Sequence, residues 1–155
     1  MVAVPEVLER ARLMVEPSLV AAVNQLQPEL RLLARYHFGW TEVDGSPSRT
    51  GSGKGLRPAL AVLSAEAVGA DGVLAIPGAT AVELIHNFSL VHDDIIDGDV
   101  ERRHRPTVWS AFGVDDAVIA GDALHNLAFQ VLLAESASPP TVERVQATVR
   151  LVAAT

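Results

Sequence analysis

No cysteine occurs in the 155 residues, so the chain has no disulfide framework, no thiolate metal site and no thiol nucleophile. That usage fits a reducing compartment, and a cytoplasmic location is expected. Aromatic residues are scarce as well, at 5%. With Ala, Val and Leu dominating an apolar share of 49%, the composition favours closely packed helices over sheets, and the expected class is all-α. Cations are outnumbered, 12 Lys and Arg against 19 Asp and Glu for a net charge of −7. This excludes a general nucleic-acid binder, because displacing counterions from phosphates takes a basic footprint. Any anionic ligand must meet a local cluster of cations. Also missing is an uncharged apolar run long enough to cross a bilayer, so no transmembrane segment is expected. The basic-then-apolar order of a signal peptide is absent too, since Glu6, Glu9, Arg10 and Arg12 come early. The length suits one domain, residues 1–155, with a sizeable core.

What is present is helical periodicity. Apolar residues recur at three- and four-residue steps over residues 5–15 and 17–38, with a break expected near Pro28. Residues 44–55, rich in Gly and Ser, read as a mobile loop. Pro58 suits the first turn of a helix that ends at Gly69. A long helix is expected over residues 77–97, a polar connection between Gly98 and Pro106, a short helix over 107–112 and a long one over 114–135. A last helix opens at Pro139 and runs out at the end of the chain with no Gly or Pro to close it.

The charges are not scattered over these helices. The stretch HNFSLVHDDIIDGDVERRHRP, residues 86–106, gathers Asp93, Asp94, Asp97 and Asp99 with Arg102, Arg103 and Arg105 at one helix end. Asp93 and Asp97 stand four apart, which stacks their carboxylates on one face, with His86 two turns back on nearly the same face. Such a pair repels itself unless a cation sits between. Hard oxygen donors of this kind suit Mg²⁺, which takes one or two carboxylates and completes its shell with water and substrate phosphates. Asp94 points partly away on this reading and contributes less. The plain alternative is a solvated acidic helix end closed by Gly98. It loses ground because AVELIHNFSL, just before the aspartates, is apolar nearly all round, as in a buried helix leading its charges into a cavity. An EF-hand loop fails on spacing, since its third and twelfth positions counted from Asp93 would be Ile95 and His104.

Lys54 and Arg57 sit at a loop-to-helix junction, where free backbone N–H groups and the helix dipole already favour anions. Arg102 and Arg103 follow the aspartates. Taken singly these are ordinary surface charges. Together with a metal helix they describe two phosphate-bearing ligands.

In GKGLRP, ELIHNFSLVHDDIIDGD, RRHRPTVW, FG and IAGDAL, taken in that order, the sequence resembles the trans-isoprenyl diphosphate synthases, or polyprenyl synthetases. The resemblance implies an isoprenoid-synthase-type helical bundle around a central cavity, incomplete at its C-terminus. It implies Mg²⁺ on the aspartate-rich motif, with Asp93, Asp94 and Asp97 as its metal residues, and Arg102 on the diphosphate of an allylic substrate. Lys54, Arg57, His86 and Arg103 would hold the diphosphate of isopentenyl diphosphate, and a homodimer is the implied assembly. The reaction ionises the allylic diphosphate and joins the carbocation to isopentenyl diphosphate. It needs a positive field on the leaving group and a dry apolar cavity, and both are legible here.

Phe88, five residues before Asp93, is expected to be the floor of that cavity, with the smaller Ser89 leaving room. This combination resembles synthases that stop at geranylgeranyl diphosphate, with farnesyl diphosphate as the nearer alternative.

Two positions depart from the family, His104 where glycine is common and Trp109 where histidine is common, and Trp109 reads as a packing residue. The second aspartate-rich motif is not found, and Asp115, Asp116 and Asp122 lack the spacing to replace it. The chain is therefore expected to be the N-terminal half of such an enzyme and inactive alone. Two alternatives stay open: a binding or regulatory subunit of a prenyl synthase, and an HD-type metal phosphohydrolase built on His92 and Asp93 with His37 or His86 and Asp122. On the main reading His37, His92 and His125 lie outside the core site.

Overall fold

A computed structural model describes residues 4–48, 55–134 and 139–154. Its helices are α1 (Val4–Val23), α2 (Pro28–His37), α3 (Leu56–Ala67), α4 (Ile76–Asp97), α5 (Val108–Phe112), α6 (Val114–Ala134) and α7 (Pro139–Ala153). A 3₁₀ turn, Gly72–Ala75, leads into α4, and a two-stranded hairpin, β1 (Glu101–Arg102) with β2 (Arg105–Pro106), separates α4 from α5. The all-α expectation holds.

The first helix departs from the reading in one respect. It runs straight through Pro17, where two separate patterns met; the break expected near Pro28 falls between Val23 and Pro28, which opens α2 at a position whose N–H would be unpaired anyway. Pro17 and Leu13 both lie on the exposed side of α1, so water can reach the Leu13 carbonyl that proline leaves without a partner. On the other side Ala11, Val15, Leu19 and Ala22 are buried at steps of four and three. Residues 44–48 also depart from the expected mobile loop, being tied to the residues before them: Thr41 bridges Pro47, the Glu42 N–H donates to Ser46 O and the Ser48 N–H donates to Trp40 O. The remainder of that loop, residues 49–54, lies outside the described residues.

The centre of the molecule is α4 packed lengthwise on α6. Leu84, Asn87, Val91 and Asp94 form the buried stripe of α4, and Ala117, Ala120, Gly121, Leu124, Leu127 and Ala128 that of α6. Small residues on α6 let the two backbones approach closely. By length and composition alone the stretches Gly72–Asp97 and Val114–Ala134 are long and apolar enough to cross a membrane, which qualifies the sequence reading. In the bundle they are each other's main packing partner. Neither is buried all round, for Ile96 is 78% exposed and Ile119 is 52% exposed.

Helix α4 ends where the site begins. Gly98 takes a left-handed conformation (φ 71°) and the Asp99 N–H closes back on Asp94 O at 2.9 Å, a glycine-based helix stop. The chain then turns through the hairpin, which was expected only as a polar connection.

Candidate active site

Asp93 and Asp97 occupy the last turn and a half of α4, both exposed. Among the described residues neither carboxylate has a hydrogen-bond or ion-pair partner. One helical turn apart, they present oxygens on a common solvent-facing side.

Asp94 behaves differently: it points away from the Asp93 face, as expected, and is turned all the way into the buried stripe of α4. Its side chain is 1% exposed, and its Oδ1 accepts from Arg102 Nε at 2.7 Å and from Arg102 Nη2 at 2.6 Å. The step from 93 to 94 turns the side chain about 100° round the helix, from the solvent face to the buried stripe, where only a charged partner makes a carboxylate tolerable. The Asp94 carboxylate in turn raises the pKa of Arg102 above its ordinary value.

The hairpin that delivers Arg102 is tied down on three sides. Tyr36 Oη donates to Pro106 O at 2.8 Å, and Arg105 Nη2 donates to Thr41 O at 2.7 Å while its guanidinium lies 4.5 Å from the centre of the Tyr36 ring. Thr107 Oγ1 and Trp109 Nε1 both donate to Asp99 O at 2.8 Å. Trp109 thus packs, as expected, and also fixes the chain leaving α4. Tyr36, and the anchoring role of Arg105, went unnoticed in the sequence, because nothing local marks a residue whose partner is 64 or 70 positions away.

Arg103 sits at the hairpin turn and lines two small cavities. One, of about 60 Å³, is shared with His37, Asp94, Arg102 and Arg105. The other, of about 40 Å³, is shared with Arg12, Gly55, Glu83 and Asn87. Their size admits a few waters each. His37 therefore stands beside the arginines, closer to the site than expected. Its Nε2 lies 3.0 Å from Asn87 Oδ1, and Asn87 Nδ2 donates to Glu83. Burial, aided by the charges of Arg103 and Arg102, pushes the imidazole down to about 4, so it is neutral and donates to Asn87.

Arg57 opens α3 just after Gly55, a left-handed residue (φ 61°), and its Nη1 donates to His86 Nε2 at 3.0 Å. Burial and the neighbouring arginines lower the His86 pKa, which keeps the ring a neutral acceptor. Arg57 and His86, expected as neighbours on one substrate diphosphate, are thus hydrogen-bonded to each other, while Lys54 lies outside the described residues.

Phe88 is half-buried between α4 and α6, with ring centres 4.8 Å from His92 and 4.9 Å from His125, and Phe129 continues the row 5.1 Å beyond His125. Ser89 turns its hydroxyl back to His86 O at 2.9 Å. His92 and His125 are ring partners of Phe88, and His92 Nε2 also lies 3.9 Å from Asp122 Oδ1. Among the described residues no three His, Asp or Glu side chains converge on one metal ion, so the ligand cluster of an HD-type site is not assembled there.

The chain is 50% identical over 127 residues to (2E,6E)-farnesyl diphosphate synthase of Mycobacterium tuberculosis and 48% identical over 125 residues to geranylgeranyl diphosphate synthase of the same organism. These matches cover 82% and 81% of this chain but only 35% and 36% of the relatives, so the chain spans about a third of their length. Among solved structures it matches a polyprenyl synthetase from Streptomyces coelicolor with a TM-score of 0.86 and 48% identity, over 96% of this chain and 44% of that one. A geranylgeranyl pyrophosphate synthetase from Geoglobus acetivorans gives 0.71 and 39%, over 92% and 43%. Since the polyprenyl synthetase family model matches residues 48–154, which include all three arginines of the hairpin and the whole of α4, the chain belongs to the polyprenyl synthetase family.

Proposed function

We propose that the protein carrying this chain is a prenyltransferase that joins an allylic diphosphate to isopentenyl diphosphate. The observation that carries the reading is the pair of exposed, unpartnered carboxylates of Asp93 and Asp97 beside a guanidinium, Arg102, that is itself held in place. Two hard oxygen donors on one helix face fit Mg²⁺, which needs no further protein ligand when water and phosphate oxygens fill its shell. When bound, the ion would neutralise part of the charge on the leaving diphosphate.

The residues of this chain supply the rest. Arg102 donates to the allylic diphosphate and offsets the charge that grows on it as the C–O bond breaks. Arg57 and Arg103, with Lys54 and a neutral His86, hold the second diphosphate, and the Arg57–His86 hydrogen bond orients that guanidinium. Phe88, backed by His92 and His125, closes the apolar pocket at a depth that favours geranylgeranyl diphosphate, with farnesyl diphosphate as the shorter alternative. Residues 1–155 form the N-terminal part of one domain whose remainder contributes the carboxylates facing Asp93 and Asp97, in a cytoplasmic homodimer.

The test uses the full-length protein. Asp93→Ala or Asp97→Ala is expected to lower turnover by several orders of magnitude, and near-normal turnover would overturn the reading. In the same assay Phe88→Ala should lengthen the products separated by chromatography after dephosphorylation. An unchanged length distribution would place the floor elsewhere.

A further inference from the structure

We infer that Arg105 is a positioning residue for the second substrate: it fastens the hairpin turn that carries Arg103 to residues 36–42, and so fixes the width of the site that holds the diphosphate of isopentenyl diphosphate. This deepens the proposed function and rests on it. Arg102 and Arg105 stand directly opposite each other in the hairpin, so their side chains start from one face, an arrangement that like charges weaken. Partners outside the hairpin must draw them apart. Arg102 is taken by Asp94 on α4. Arg105 is only 14% exposed, a cation nearly removed from water, and it is held from another direction. Its Nη2 donates to Thr41 O at 2.7 Å and to Glu42 Oε2 at 3.2 Å, and its guanidinium lies over the Tyr36 ring, 4.5 Å from the centre. The Tyr36 hydroxyl adds its bond to Pro106 O.

The two strands are therefore anchored to different parts of the molecule, β1 to α4 and β2 to the end of α2 and the residues after it. Arg103 lies in the turn between them. Its φ of 54° is a strained conformation for a residue with a Cβ, and it persists only where the flanks are held. Across from it, Gly55 and Pro58 bracket Arg57 at the start of α3 and line the same cavity of about 40 Å³ as Arg103. Burial, and then the charges of Arg57 and Arg103, lower the His86 pKa, which places both guanidiniums near one imidazole. The second site thus has two walls. Arg57 is tied to α4 through His86, whereas Arg103 depends on the turn. Releasing β2 leaves Arg102 on Asp94 and lets Arg103 move, so the allylic side is spared while the second site widens.

Steady-state kinetics of the full-length protein with Mg²⁺, dimethylallyl diphosphate and isopentenyl diphosphate separate this role from general damage. Arg105→Ala is expected to raise KM for isopentenyl diphosphate about tenfold, the worth of a hydrogen bond from a charged donor. The kcat and the KM for dimethylallyl diphosphate should be unchanged. Arg105→Gln, shorter and uncharged, should show the same selectivity, and it decides the matter if Arg105→Ala does not fold. Added to Arg103→Ala, Arg105→Ala should raise the KM for isopentenyl diphosphate no further, because it acts through Arg103. A wild-type KM for isopentenyl diphosphate, a fall in kcat, an equal rise for both diphosphates or additive losses in the double variant would each overturn the assignment. A wild-type protein that makes no prenyl diphosphate would instead overturn the proposed function itself, and this assignment with it.

Discussion

A Cβ placed on Gly121 would stand 2.3 Å from Nε2 of His92, well inside any real contact. The His92 ring fills the space that glycine leaves, with Nε2 3.1 Å from Val118 O. At the scale of single residues this is where α4 and α6 are most tightly matched. Gly121→Ala is expected to destabilise the protein by roughly 1–3 kcal/mol in urea unfolding, the usual cost of overpacking a filled interface. Combined with His92→Ala it should cost less than the sum of the two single changes, because the clash disappears. The sequence offered IAGDAL as a family motif but no reason for its glycine. The reason is a side chain on another helix. Asp94 teaches the same lesson, since four carboxylates within seven residues look alike until burial separates one of them.

At the scale of elements, the hairpin between α4 and α5 is built on two non-glycine residues with positive φ, Arg103 at 54° and His104 at 62°. A two-residue turn with both central residues left-handed is the type that matches strand twist, and it ordinarily draws Gly or Asn. The departure noted in the sequence, His104 where glycine is common in the family, thus falls on a strained position. His104 is fully exposed and its imidazole lies 3.8 Å from Glu101, a contact of little worth at the surface. His104→Gly should therefore raise stability by up to about 1 kcal/mol, the left-handed penalty less the extra entropy of glycine in the unfolded chain, as read from the urea midpoint. A fall in the midpoint would show that the Glu101 contact matters more than the backbone. At Arg103 the strain is kept, because that side chain lines both small cavities.

At the scale of the whole molecule, burial of His37 couples folding to pH. Its pKa falls from 6.5 to about 4 on folding. Above pH 6.5 the ring is neutral in both states and the stability is fully present. Between 6.5 and about 4 the unfolded chain takes up a proton that the folded chain refuses, so stability falls as pH falls, by an amount on the order of 3 kcal/mol. His86, depressed in the same direction, adds to the trend. Urea midpoints at pH 7 and pH 4.5 should show the loss, and His37→Gln should make it shallower; an unchanged slope in that variant would assign the dependence to other groups.

The sequence alone determined the helices, their order and the face shared by Asp93 and Asp97, because helical periodicity and i, i+4 spacing are local properties that no distant contact has to supply. It also marked Arg57 and His86 as candidate site residues, although not their hydrogen bond. Tertiary structure alone decided that Asp94 is buried against Arg102, that Tyr36 and Arg105 anchor the hairpin, that His37 reaches the arginines and that Pro17 is carried inside a continuous helix. Each of those depends on which side of an element meets a segment tens of residues away, and a rotation of 100° per residue makes neighbours in sequence strangers in environment.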